Sequence, residues 1–138
     1  MVTLDEPEFE RWRAAADTAF KSARSQTKAG FFGWACFMCE QAAQLSLKAL
    51  LHAAGRGEKS HDLTRLWKAL HDAGVDLPPE LEDILKRLSR HYVMPRYPDV
   101  VPGAEPAAYY SQLDADQALE DARAIIGAVD RTWNARDA

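Results

Sequence analysis

A chain of 138 residues, 47% hydrophobic and 28% charged, is long enough for one buried core, which excludes a disordered tract or a miniprotein that needs disulfides. A net charge of −4 gives no general attraction to nucleic acid, so any such binding requires a local basic patch. The acidic start, MVTLDEPEFE, has no apolar signal core, and the longest charge-free apolar run, Ala29 to Cys39, is too short to span a bilayer, so a cytoplasmic protein with no membrane association is expected.

The first helix begins near Thr3 or Asp5, where TLDE and DEPE both have the shape of a capping box and Pro7 is tolerated in a first turn. Phe9, Trp12, Ala16, Ala19 and Ala23 form an amphipathic stripe whose small members allow a second helix to come close. Lys21, Arg24 and Lys28 make a basic edge near its end, and Gly30 breaks it. The next stretch, Phe31 to Ala54, organises the chain as one helix of about six turns. One row, Phe32, Cys36, Cys39, Ala43, Leu47, Leu50 and Ala54, is wholly apolar, and so is a second, Trp34, Met38, Leu45 and Ala49. A helix apolar on most sides is surrounded by others, so this is the central one. Gly55 ends it and RGEKS is a polar turn.

Ser60 is the expected cap of a third helix carrying Leu63, Leu66, Trp67, Leu70 and Ala73, stopped by Gly74. Pro78 and Pro79 open a fourth, with Leu81, Ile84, Leu85, Leu88 and Tyr92 on one face. Residues 93–113 contain four prolines and no periodicity, a loop long enough to suggest function or disorder. Asp114 with Gln117 begins the last helix, whose inner face is Leu119, Ala122, Ile126, Val129 and Trp133. The sum is one all-α domain over residues 1–138, a five-helix up-and-down bundle with a long proline-rich loop before the last helix.

Chemistry is expected in three places. Gln41, Gln44 and Lys48 form the only polar ridge on the central helix, and such groups need partners because burying one unpaired costs roughly 1–3 kcal/mol. Ser60-His61-Asp62 puts a histidine at a helix start. Lys86, Arg87, Arg90, His91 and Arg96 interleave with Tyr92 and Tyr97, a mixture suited to phosphate and a stacked base. Cys36 and Cys39 form a CxxC, but both lie on the apolar row with no second pair, which points to buried free thiols. The four histidines show no metal-ligand spacing, and there is no glycine-rich phosphate loop, so neither a metal nor a cofactor is implied.

Taken together, Gln41-Ala42-Ala43-Gln44-x3-Lys48-Ala49-Leu50-Leu51, Ser60-His61-Asp62-Leu63 and Tyr92-x3-Arg96-Tyr97-Pro98-Asp99 resemble the HEPN domain family (higher eukaryotes and prokaryotes nucleotide-binding). The likeness runs from about Trp12 to about Val129. It implies a five-helix bundle, a homodimer, a nucleotide or RNA ligand and, for small prokaryotic members, a minimal nucleotidyltransferase partner in a toxin–antitoxin-like pair. Carried across by position, Gln41, Lys48 and His61 match polar positions of the family, as do Tyr92, Arg96, Tyr97 and Pro98; with Gln44 of the ridge, Gln41, Lys48, His61, Tyr92, Arg96 and Tyr97 are the expected ligand-binding residues. Many relatives have glutamate at Gln44 and lysine at Ser46, so this chain departs from them on the ridge. Ribonuclease members carry arginine, four to six residues, then histidine near a late helix. Here Arg56-x4-His61 and Arg65-x5-His71 come too early, and Arg87-x3-His91 is one residue short. The leading expectation is a nucleotide- or RNA-phosphate-binding module. The alternatives are a metal-independent ribonuclease with His91 as base and Arg87 or Arg96 as cation, and a purely structural or interaction bundle.

Overall fold

The computed structural model describes residues 4–93 and 105–136. Among them are five α-helices and no strand: α1 (Glu6–Lys28), α2 (Phe32–Ala53), α3 (Leu63–Asp72), α4 (Leu81–Ser89) and α5 (Gln112–Asn134), with a 3-10 turn at Pro106–Tyr109. None of the described helices is long and apolar enough to cross a membrane. The apolar stretch folds as one helix, and α2 packs against α1, α3, α4 and α5 at once. Cys36, Cys39, Ala43 and Leu47 are fully buried, as the row predicts. Both thiols are free, and burial pushes the Cys36 pKa up to about 12 and that of Cys39 higher still.

The small stripe on α1 does what its size allows. Ala16 and Ala23 have no exposed surface and Ala19 almost none, so α1 lies close along α2. Gly30, at φ 84°, makes the left-handed turn between them, and the Phe31 amide closes it on the Gln26 carbonyl at 2.9 Å. At the other end the Asp5 amide donates to the Ala53 carbonyl at 2.8 Å, so the two helices run antiparallel. Phe9 stacks on Trp133 at 4.0 Å, and Arg13 holds Asp130 through two hydrogen bonds of 2.7 and 2.9 Å, joining α1 to α5. Leu63, Leu66, Leu70, Leu85 and Leu88 carry α3 and α4 into the same core as Leu47 and Leu51. Full burial of each is worth about 1.5–3 kcal/mol.

Three sequence expectations shift. Asp62, not Ser60, caps α3: its carboxylate accepts from the Thr64 amide at 3.0 Å, while the Ser60 hydroxyl accepts from the Asp62 amide one step earlier. Ser111 caps α5, three residues before the expected start, and Asp114 is its capping-box partner. The first turn of α2 protrudes, leaving Phe31 59% and Trp34 42% exposed. Periodicity assigns Trp34 to a row; it does not reveal where the neighbouring helices stop.

Candidate functional site

The polar ridge of α2 is mostly interior. Gln44 is 3% and Lys48 6% exposed, and a third polar residue, Glu40, is completely buried one turn earlier. The Gln44 carboxamide joins them. Its Nε2 donates to the Glu40 carboxylate, 3.2 Å from the nearer oxygen, and its Oε1 accepts from Lys48 Nζ at 3.1 Å. Turning the amide over would set NH2 against an ammonium and oxygen against a carboxylate, so the charges on either side fix its orientation. Gln41, half-buried, donates its Nε2 to the same Glu40 carboxylate at 2.8 Å. Burial lowers the Lys48 pKa, and the fields of Glu40 and Glu58 oppose that shift.

Gln44 also sets the state of His61. Its Oε1 lies 3.0 Å from His61 Nδ1, and an oxygen already oriented as an acceptor requires Nδ1 to carry the proton. In the neutral ring His61 Nε2 then carries the lone pair. The His61 ring stacks on Tyr92 with centroids 5.4 Å apart and planes 16° from parallel, and Phe37 lies 6.4 Å behind Tyr92. An open cavity of about 460 Å³ is lined here by Ser60, His61, Asp62, Ser89, Tyr92 and Val93. The hydrogen bond from the Thr64 hydroxyl, 2.7 Å, is the leading cause that keeps the Asp62 carboxyl below its ordinary pKa, so this wall stays anionic. Among the described lining residues there is no cation. The cavity offers stacking and acceptors, His61 Nε2 and Asp62, to a flat ligand bearing N–H or O–H donors.

Of the seven ligand residues expected from sequence, Gln44, Lys48, His61 and Tyr92 are linked by these contacts, and Gln41 joins through Glu40. Arg96 and Tyr97 lie outside the described residues. The pair considered for RNA cleavage has contacts of its own. Arg87 Nε and Nη2 clamp the buried Asp121 carboxylate at 2.6 and 2.7 Å, and His91 Nδ1 lies 3.3 Å from the Tyr110 hydroxyl. Burial lowers the His91 pKa, against the raising fields of Asp114 and Asp121. Sequence reasoning missed Glu40 and Asp121. Glu40 was detectable: Glu40, Gln44 and Lys48 stand at i, i+4 and i+8, a polar line one residue to the side of the ridge drawn through Gln41.

The HEPN domain model matches residues 9–132. Among solved structures, the chain is similar to TT1696 from Thermus thermophilus, at 32% identity and TM-score 0.86 over 90% of this chain and 97% of that one. It is also similar to ST0689, an archaeal HEPN homologue, at 28% identity and TM-score 0.74 over 89% and 95% of the two chains. An HEPN domain protein from Thermotoga maritima shares the fold, at 24% identity and TM-score 0.72 over 91% and 98%. No curated protein matches.

Proposed function

The chain belongs to the HEPN domain family, and from that premise we propose that it is a nucleotide-binding module whose base-recognition cavity is the one that His61 and Tyr92 help to line. The observation that carries this reading is the hydrogen-bond chain from Glu40 through Gln44 to His61 Nδ1. A buried carboxylate, an amide and an ammonium hold Nδ1–H on Gln44 and leave Nε2 as an acceptor beside a stacked tyrosine. A nucleobase supplies the complementary parts, a flat face and exocyclic N–H donors. An Arg and a Tyr of the loop, Arg96 and Tyr97, belong to the same reading through the family motif. The module acts in the cytoplasm as a homodimer beside a minimal nucleotidyltransferase, in a toxin–antitoxin-like pair. Exposed Phe31, Trp34 and Leu113, the last 78% exposed, supply apolar surface for such contacts.

Calorimetric titration with ATP, GTP and a short RNA, on the chain alone and with its nucleotidyltransferase neighbour, tests the ligand. Saturable heat that Tyr92→Ala removes supports it; no heat with any of the three contradicts it. Sedimentation of a monomer at high concentration would contradict the dimer.

A further inference from the structure

The loop between α2 and α3 has a cavity on each side. Ser60, His61 and Asp62 line one. The preceding residues, Gly57, Glu58 and Lys59, line the other together with Trp12, Lys48 and His52, and its volume is also about 460 Å³. Lys48 lines this second cavity and not the first, and a hydrogen bond to Gln44 ties it to His61.

This second cavity has a firm floor. His52 stands one turn after Lys48 on α2, and its ring stacks on Trp12 of α1 at 4.1 Å and 12°. The Trp12 indole is pinned in turn by its N–H bond to Glu8, 3.1 Å. Gly57 lies so close to His52 that a Cβ there would meet the ring at Cε1 at 2.9 Å. Among the lining residues the charged groups are Lys48, Lys59 and Glu58. The Glu58 carboxylate accepts from the Ser60 amide at 3.3 Å, which turns it to the loop backbone. Burial lowers the His52 pKa, so that ring adds no charge at neutral pH. Two ammonium groups and one engaged carboxylate therefore line the cavity, with Glu8 and Arg11 of opposite charge beside its Trp12 floor. Among the described residues, Lys48 gives one of its three hydrogens to an acceptor within the protein, Gln44 Oε1.

We infer that the Trp12–His52 cavity binds a phosphate group between Lys48 and Lys59, and that this site is coupled to the His61–Tyr92 cavity through the Gln44 carboxamide. The phosphate site itself stands on the residues just named; the coupling also rests on the nucleotide-binding reading of the first cavity. Two observations support the linkage. Gln44 Oε1 accepts from Lys48 and from His61 at the same time, and Glu58 of the second cavity holds the amide of Ser60, which lines the first. An anion that turns the Lys48 ammonium toward itself weakens one donor to Gln44 Oε1 and leaves His61 Nδ1–H a stronger hold on it. Burial disfavours the charged lysine, and an anion beside it restores the balance. Coupling of this kind is reciprocal.

Three probes separate the sources of phosphate and the two halves of the inference: inorganic phosphate, adenosine and AMP, each at constant ionic strength set with chloride. The readouts are isotope-edited NMR of the histidine rings and tryptophan indoles. Inorganic phosphate should shift His52 and Trp12 saturably, and exposed Lys59→Ala should weaken it about tenfold while leaving the circular dichroism spectrum unchanged. Lys48→Met serves as the second variant, its fold checked in the same way. Adenosine should shift His61 without displacing phosphate, and should change the phosphate affinity by at least about fivefold. AMP that shifts both sets of resonances one-to-one identifies the phosphate as part of the nucleotide; AMP displaced from His52 by inorganic phosphate but retained at His61 identifies separate molecules, and either supports the site. Failure of phosphate to move His52 and Trp12 overturns the site, whatever adenosine does. Adenosine binding that leaves phosphate affinity unchanged overturns the coupling. Phosphate binding without adenosine binding keeps the site and removes the nucleotide reading.

Discussion

Gln44 sits between a buried carboxylate and a buried ammonium, so the substitution Gln44→Leu tests whether that arrangement is as necessary as its geometry indicates. Leucine fits the 3% exposed position but removes the donor to Glu40 and the acceptor that Lys48 and His61 share. Hydrogen bonds to charged groups contribute roughly 1.5–3 kcal/mol each, and both partners here remain interior, so the loss comes to about 3–6 kcal/mol. The leucine side chain recovers about 1–2 kcal/mol through apolar burial. The net destabilisation of about 2–4 kcal/mol is a large share of a typical total of roughly 5–15 kcal/mol. For a chain of this length each kcal/mol lowers Tm by about 3–5 °C, so a fall near 10 °C is expected. Urea unfolding followed by far-ultraviolet circular dichroism reads the loss as a lower midpoint with the same slope. Gln41→Leu is the control: it removes one donor to Glu40 from a half-buried site and should cost about 1 kcal/mol. If Gln44→Leu unfolds within ~0.5 kcal/mol of wild type, Glu40 and Lys48 do not depend on the amide and the account of the site is wrong.

His91 and His52 both resist protonation when folded, because burial lowers their pKa, whereas the unfolded chain takes those protons near pH 6.5. Stability should therefore fall as pH drops through that value, and the double variant His52→Gln/His91→Gln should flatten the slope of urea midpoint against pH between about 7.5 and 5.5; an unchanged slope contradicts the assignment. With its pKa pushed up to about 12, Cys36 should react with iodoacetamide at pH 8 roughly a thousandfold more slowly than a free thiol, and Cys39 no faster; mass spectrometry of the native protein showing rapid labelling would refute their burial. Asp62→Ala should destabilise by about 1 kcal/mol as the lost cap of α3, and Ser60→Ala by clearly less, read from the same urea curves; the reverse order would restore Ser60 as the cap.

The fold was legible because the pattern of α2 is so heavily apolar: a helix whose Cys36, Cys39, Ala43, Leu47 and Leu50 all need cover dictates a bundle around it. Glycines at Gly30, Gly55 and Gly74, all with positive φ, mark the helix ends expected at those positions. The site was legible in part. Gln44, Lys48, His61 and Tyr92 stood out as polar or aromatic residues at constrained positions, yet their division between two cavities depends on Trp12 and Gly57, which no local pattern connects. Asp121 was invisible for a related reason. A carboxylate on a helix reads as solvated surface unless its partner is known, and Arg87 comes from another helix 34 residues away. Capping residues shifted because Ser60 and Asp62 both suit the role, and the choice turns on which carboxylate or hydroxyl reaches the Thr64 amide.

The central claim is that Gln44 presents His61 Nε2, unprotonated and stacked on Tyr92, to a nucleobase. Nitrogen-15 NMR of the histidine rings during a titration with AMP measures this directly. The account predicts a His61 Nδ1–H tautomer in the free protein and a saturable change at its Nε2 on binding, with exposed His71 unmoved. A His61 that carries its proton on Nε2, or one that keeps the same resonances through saturating AMP, would contradict it.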